Sequence, residues 1–325
     1  MNSVLDVGRE KYVPSTEKGQ SHFKIQLRLF WYFLSFLYAL FVGGIESIIA
    51  CFRQQEKSLN GQLAVVTGGG NGLGKAICLR LAEEKCNIAV VDVDIRAAEV
   101  TALELTSLGV KSKAYKADVS NYDELLTLRS QIQNDFGSVD VLINNAGLVT
   151  KISLSEGTPE DIQKVINVNI ASNFWTTRIF LKDMIAQKRG HIVGISSIFG
   201  LVPSGRSILY NTTKFAVRGF MSCLSEEIRL NNLSSHIKTT CIYPLFISTR
   251  DDLISALVRL KFFDRIVVMS PKYAAAQIVS AIKKEKLHAP IPNGVYTLSG
   301  LLAILPRRIM ERYFDTTFGK IPPIY

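Results

Sequence analysis

Tyr210 and Lys214 stand at the two ends of the pentapeptide "YNTTK". On a helix they are i and i+4, so both side chains project from one face. A phenol with its ordinary pKa of about 10 is a poor base at neutral pH, and a neighbouring ammonium stabilises the phenolate and lowers that value. The pair therefore reads as a proton acceptor, Tyr210, activated by Lys214. Upstream, Ser197 follows the apolar run "HIVGIS", where its hydroxyl can hydrogen-bond a substrate oxygen as the proton leaves. Ser196 competes for that role and points to the opposite side if the strand persists. The pentapeptide also contains Asn211-Thr212-Thr213, formally a glycosylation acceptor. A glycan one residue from Tyr210 would block the acid–base reading, so the two readings exclude each other and imply different compartments.

Positioning these residues requires a scaffold, and the chain supplies one. Short apolar runs ("LAVVTGG", "IAVVDVD", "KAYKADV", "VDVLINNAG", "HIVGISS", "TTCIYP") alternate with amphipathic stretches such as "LGKAICLRLAEE" and "IRAAEVTALELTSLG". Strands alternating with helices predict βαβ units. The expected fold is α/β: a single doubly wound, Rossmann-type parallel sheet with helices on both faces, over residues 61–290. Its ligand belongs at the carboxyl ends of the strands. There the first strand runs into "TGGGNGLG". Gly68, Gly72 and Gly74 allow a tight turn, a close backbone approach to a pyrophosphate, and room for the next helix, whose N-terminus favours the anion. Asp92 ends the second strand, 18 residues after Gly74, where a carboxylate can accept hydrogen bonds from both adenosine ribose hydroxyls. It would repel a 2′-phosphate, and no Arg or Lys lies between positions 68 and 74. NAD is expected over NADP.

Ahead of this domain the composition changes. From Leu29 to Ile45 the chain is uncharged and mostly apolar, and the run resumes after Glu46 as far as Phe52. As a helix these residues reach about 36 Å, enough for a hydrocarbon core of about 30 Å. Residues 23–53 are read as a membrane anchor, followed by a polar linker at 54–60. Gly43-Gly44 and Glu46 leave span, hairpin and interfacial helix open. Residues 1–22 are polar and expected to be poorly ordered. The tail, residues 291–325, contains "VYTLSGLLAIL" before Pro306-Arg307-Arg308, a possible second membrane contact too short to span.

With 325 residues and 47% apolar composition, the chain can bury a sizeable core. The formal charge of +10 fits a membrane surface, and no basic run interleaved with aromatics points to nucleic acid. Five cysteines without CxxC spacing or a histidine cluster make neither a disulfide framework nor a metal site and fit a reducing compartment.

Taken together, "TGGGNGLG", "NNAG" at 144–147, a serine 13 residues before Tyr-x-x-x-Lys, and "YNTTK" itself resemble the short-chain dehydrogenases/reductases over roughly residues 58–290. The anchor, the stretch "INVNIASNFWTTRIFLKDMIAQKRGHIVGISS" and "PKYAAAQIVSAIKKEK" are similar to a membrane-associated subgroup. It comprises the 17β-hydroxysteroid dehydrogenases of types 11 and 13 and the epidermal retinol dehydrogenases. The resemblance selects Ser197 by its spacing and adds Asn169 as a water-organising proton relay, giving Asn169, Ser197, Tyr210 and Lys214 as catalytic residues. It implies an NAD site of Thr67, Gly68, Asn71, Gly72, Leu73, Gly74, Asp92, Asp118, Val119, Asn144, Ala146 and Gly147, completed by Tyr210, Lys214, Ile247 and Thr249. One departure is Pro244-Leu245, where the family has Pro-Gly, because leucine does not enter positive φ as glycine does.

The implied activity is hydride transfer between NAD and a lipophilic alcohol such as a retinoid or steroid. The apolar segment "RDDLISALVRLKFFDRIVVM" would cover the substrate. A homodimer is expected at the endoplasmic reticulum membrane or a lipid droplet, with the catalytic domain facing the cytosol and Asn211 unglycosylated. The competing class is a lipid-surface scaffold that keeps the NAD fold with little turnover.

Overall fold

The computed structural model describes residues 22–53, 56–150, 157–203, 207–249, 268–293 and 306–318. The polar N-terminal stretch through residue 21, the expected substrate cover through residue 267 and the apolar run at 295–305 lie outside the described residues. The chain divides into two compact units, 1–55 and 56–325.

The first unit is one helix, α1 (His22–Arg53). It runs through Gly43 and Gly44 without a break. Its segment Ile25–Ile45 is long and apolar enough to cross a membrane and is 0% buried. Trp31, Tyr32, Phe33, Tyr38 and Phe41 are all exposed, a surface that water does not favour over successive turns.

In the second unit seven parallel strands form one sheet: β1 (Leu63–Thr67), β2 (Asn87–Asp92), β3 (Ser112–Lys116), β4 (Val141–Asn144), β5 (Gly190–Ile195), β6 (Ile237–Pro244) and a late strand (His288–Ile291). A separate two-stranded parallel pair joins β7 (Phe246–Ile247) to β8 (Val268–Met269), so the late strand is β9. The sheet order is β3-β2-β1-β4-β5-β6-β9. The strand order reverses between β1 and β4, the switch point at which doubly wound sheets bind ligands. Six strands match the apolar runs of the sequence. β9 was not expected, since "HAPI" is four residues long and contains a proline, which suits only an edge position.

Alternation along β1 shows how the layers form. Ala64 and Val66 join one core cluster, with Ile77 and Leu81 of α2 (Gly72–Glu83), Leu105 of α3 (Ile95–Ser107) and Ile278 of α8 (Pro271–Lys283). Leu63 and Val65 join the other, with Leu128 of α4 (Tyr122–Phe136), Phe180 of α6 (Ser172–Ala186) and Met221 of α7 (Ile208–Leu230). Helix starts are set by side chains: Asp94 accepts from Arg96 N and Ala97 N, and Asn121 from Asp123 N and Glu124 N. Helix α5 (Pro159–Ile166), capped by Thr158, continues into α6 through a π-helical segment, Asn167–Ala171. In the tail, α9 (Arg307–Phe318) exposes Ile309.

The amino end of the sheet is held by a charged knot. The Asp140 carboxylate accepts from Leu63 N (2.9 Å) and Arg189 Nε (2.6 Å). His191, fully buried, accepts from Lys57 Nζ at Nδ1 (2.8 Å), so its Nε2–H faces Thr240 Oγ1 (2.8 Å). Lys57 also approaches Glu285, and Lys57 N donates to Lys283 O. Burial, reinforced by Lys57 and Lys238, holds His191 well below the ordinary imidazole value of 6.5. The unfolded imidazole takes its proton near 6.5 and the folded one only below that. The resulting stability is therefore present above pH 6.5 and lost as pH falls towards the folded pKa. His191→Gln, which cannot titrate, is expected to be less stable at neutral pH but to show a flatter urea-denaturation midpoint as pH falls below 6.5. Tryptophan fluorescence in detergent would read this, and equal pH slopes in both proteins would refute it.

Candidate active site

At the carboxyl end of β1 the backbone folds back on itself. Gly68 and Gly72 have φ of +63° and +55°, a region side chains rarely adopt. Gly74 is constrained by contact: a Cβ there would lie 1.9 Å from Gly68 O. Asn71 caps α2 in extended conformation without a side-chain hydrogen bond, so the first amides of the helix are open to an anion. Beside this turn the Asp92 carboxylate accepts from Gly70 N (2.9 Å) and Asp94 N (3.1 Å), which fixes its orientation at the end of β2. Leu73 packs against the first core cluster.

Strand β4 locks the turn from the other side. Thr67 Oγ1 accepts from Asn145 N (3.0 Å) and Ala146 N (3.1 Å), while Asn145 Nδ2 donates to Thr67 O (2.9 Å) and Gly68 O (3.1 Å). The neighbouring Asn144 faces α6 instead, accepting from Thr176 Oγ1 (2.8 Å). Asp118 holds the next loop, accepting from Ser120 N and Oγ, and Val119 is buried in the second core cluster. Thr249, beyond β7, stands over the turn, its Cβ 3.4 Å from where one on Gly72 would be. Ile247 packs against the first core cluster.

The residues singled out for chemistry come together on α7 and its neighbours. Tyr210 and Lys214 share one face of the helix, with Nζ 5.5 Å from the phenol ring centroid. Lys214, buried, donates to Ile195 O (2.9 Å), and burial pushes its ammonium down to about 8. Burial pushes the Tyr210 phenol up to about 12, against the pull of its hydrogen bond with Ser197. This differs from the expected lowering by Lys214, because Nζ lies over the ring and turns to a carbonyl. Asn169, 1% exposed in the π-helical segment, accepts from Leu148 N (2.7 Å) and donates to Leu148 O (2.9 Å) and Thr213 Oγ1 (3.0 Å). Thr213 donates to Tyr210 O (2.7 Å). Gly147 closes the group: a Cβ on it would be 3.5 Å from Asn169 Oδ1 and 3.6 Å from Lys214 Nζ. Ser196 faces away, donating to Lys214 O (2.7 Å). Asn211 is 4% exposed, so this packing does not accommodate a glycan on it.

The chain is matched by the family described as short chain dehydrogenase over residues 62–252, more than half its length. It belongs to that family. Among its relatives, estradiol 17-beta-dehydrogenase 11 of Homo sapiens is 29% identical over 286 residues, 87% of this chain and 93% of that protein. Epidermal retinol dehydrogenase 2 of Homo sapiens is 31% identical over 262 residues, 80% of this chain and 83% of that protein. A short-chain dehydrogenase/reductase from Burkholderia phymatum, solved with NAD, shares the fold at a TM-score of 0.68 and 23% identity, over 83% of this chain and 100% of that one. A metagenomic short-chain oxidoreductase solved with NADP gives 0.60 and 25%, over 72% and 97%.

As a short-chain dehydrogenase, the protein is an oxidoreductase. Its glycine turn, with Gly68 and Gly72 at positive φ and the first amides of α2 without a side-chain cap, fits a dinucleotide. Leu245 follows an ordinary path. It is not among the described residues with positive φ, and its N–H donates to Ile291 O (2.8 Å). Asn145, Gly70 and Thr213 were not assigned from the sequence, although they lie inside "NNAG", "TGGGNGLG" and "YNTTK". Their role is to tie motifs together across the chain, which a local pattern does not display.

Two outcomes test the geometry. Gly74→Ala is expected to destabilise the protein by about 3 kcal/mol or more, since backbone must move to admit the methyl group, and to abolish nucleotide binding. Thermal denaturation and fluorescence titration with NADH would show both. Tyr210→Phe is expected to cut alcohol oxidation about 10²–10⁴-fold while retaining nucleotide binding. With a phenol near 12, native oxidation should also rise with pH above neutrality, a rise that Tyr210→Phe should lose.

Proposed function

We propose that the chain is a membrane-associated dehydrogenase transferring a hydride between NAD and the hydroxyl- or carbonyl-bearing carbon of a lipophilic alcohol, retinol-like or 17β-hydroxysteroid-like. The observation that carries this reading is the cluster of Tyr210, Ser197, Lys214 and Asn169 beside the carboxyl edge of the sheet, the edge that also holds the glycine turn. When bound, NAD supplies the hydride acceptor at its nicotinamide ring. Ser197 orients the substrate hydroxyl, and Tyr210 takes its proton. Lys214 holds positive charge beside the forming phenolate, and Asn169 fixes the loop at Leu148 against α7. Carbonyl reduction runs through the same groups in reverse.

The cofactor preference rests on Asp92. Its carboxylate, held by two amides at the end of β2, suits ribose hydroxyls and repels a 2′-phosphate. Thr67, Gly68, Asn71, Gly72, Leu73, Gly74, Asp118, Val119, Asn144, Ala146, Gly147, Ile247 and Thr249 complete the nucleotide site in this reading. Helix α1 supports attachment to the endoplasmic reticulum membrane or a lipid droplet. Free thiols at Cys78, Cys86 and Cys241 and the buried Asn211 favour a cytosol-facing catalytic unit. Assembly as a homodimer is part of the proposal.

The purified protein, given NAD or NADP with retinol, 17β-estradiol and long-chain alkanols, should produce reduced nucleotide by absorbance at least about tenfold more efficiently with NAD. Absence of turnover on every alcohol would overturn the enzyme reading and leave a lipid-surface protein with a retained nucleotide fold.

A further inference from the structure

Two aromatic rings meet where the loops after adjacent strands β5 and β6 converge. Phe199 and Phe246 have centroids 5.8 Å apart and planes at 81°, an edge-to-face contact. Each is half-buried, and core packing does not account for them. Leu245 and Ile247, on either side of Phe246, pack against the first core cluster, and Ile198, beside Phe199, packs against the second. Alternation along the extended segment turns Phe246 away from its neighbours' side.

The backbones carrying both rings are held in place, Phe199 by the catalytic group and Phe246 by strand pairing. Phe199 N donates to Ser197 Oγ (3.2 Å). The turn Ile198–Gly200 is pressed onto Ser196, where a Cβ on Gly200 would come within 2.3 Å of Oγ, and Ser196 in turn bonds Lys214 O. Phe246 is held by the β7–β8 pairing and by Leu245 N donating to Ile291 O. One ring therefore follows the residue that orients the substrate hydroxyl, and the other precedes Ile247 on the nucleotide side.

We infer that Phe199 and Phe246 form a rigid aromatic corner of the substrate cleft that selects alcohols carried on a flat polyene or fused-ring skeleton over saturated straight chains. The inference rests on the dehydrogenase reading and deepens it. A planar skeleton can lie against one ring face while the second ring meets its edge, contacts a flexible alkyl chain makes only by giving up conformational freedom.

The test uses the full chain in detergent with all-trans-retinol and hexadecan-1-ol as probes, comparing it with Phe199→Leu/Phe246→Leu, which stays apolar but loses both rings. The ratio of kcat/KM for retinol to that for hexadecan-1-ol should fall about tenfold, mostly through KM for retinol, with KM for NAD little changed. Phe246→Leu alone, checked for native melting, guards against a folding defect and should show part of the fall. An unchanged ratio would overturn the inference. Equilibrium retinol binding, read by tryptophan quenching, separates the two readings. Binding that weakens in the Leu variants without any turnover supports the corner while removing the dehydrogenase. Equal binding in all variants, or none in the native protein, removes the corner.

Discussion

One close approach of backbone to backbone organises the carboxyl edge of this protein. Gly74 passes so near the carbonyl of Gly68 that no side chain fits between them. That contact brings the start of α2 against the end of β1, and the amides of α2 then have no internal acceptor. Asn145 bridges the same carbonyl and that of Thr67 from the adjacent loop, so the turn is pinned from two strands at once. Asp92 and Thr249 approach this turn at Gly70 and Gly72, and Gly147 lies beside Asn169 and Lys214.

Both ends of the sheet bury titratable groups. At the amino end, Asp140 and His191 are buried with hydrogen-bond partners for their side chains, and the knot is structural. At the carboxyl end, burial pushes Tyr210 and Lys214 towards their neutral forms. Burial shifts His191 the same way, so what sets the carboxyl end apart is that its shifted pair lies at the edge that carries the glycine turn.

Much of this was legible because it is local. Tyr210 and Lys214 are one helical turn apart, and the glycine turn and the alternating runs of β1, β2 and β4–β6 are contiguous in sequence. The site residues that joined them were less legible. Asn145 acts on Thr67 across 78 positions, and Asn169 meets Thr213 across 44; neither separation leaves a periodic trace. Strand β9 was hidden by its length and proline. The direction of the Tyr210 shift was not legible, because spacing puts Lys214 on the same helix face but does not say where its ammonium points.

The π-helical segment Asn167–Ala171 joins α5 to α6 without a visible interruption. Its wider turn advances the following helix by one residue, about 100° of rotation. Asn169 thereby faces Thr213 while Thr176, seven residues later, faces Asn144. Between Asn169 and Thr176 the number of residues is consequently as much a part of the site as their identity. Substitution there can be absorbed by repacking, but loss of a single residue would set the two contacts against each other, since a regular helix could satisfy one only by rotating the other away.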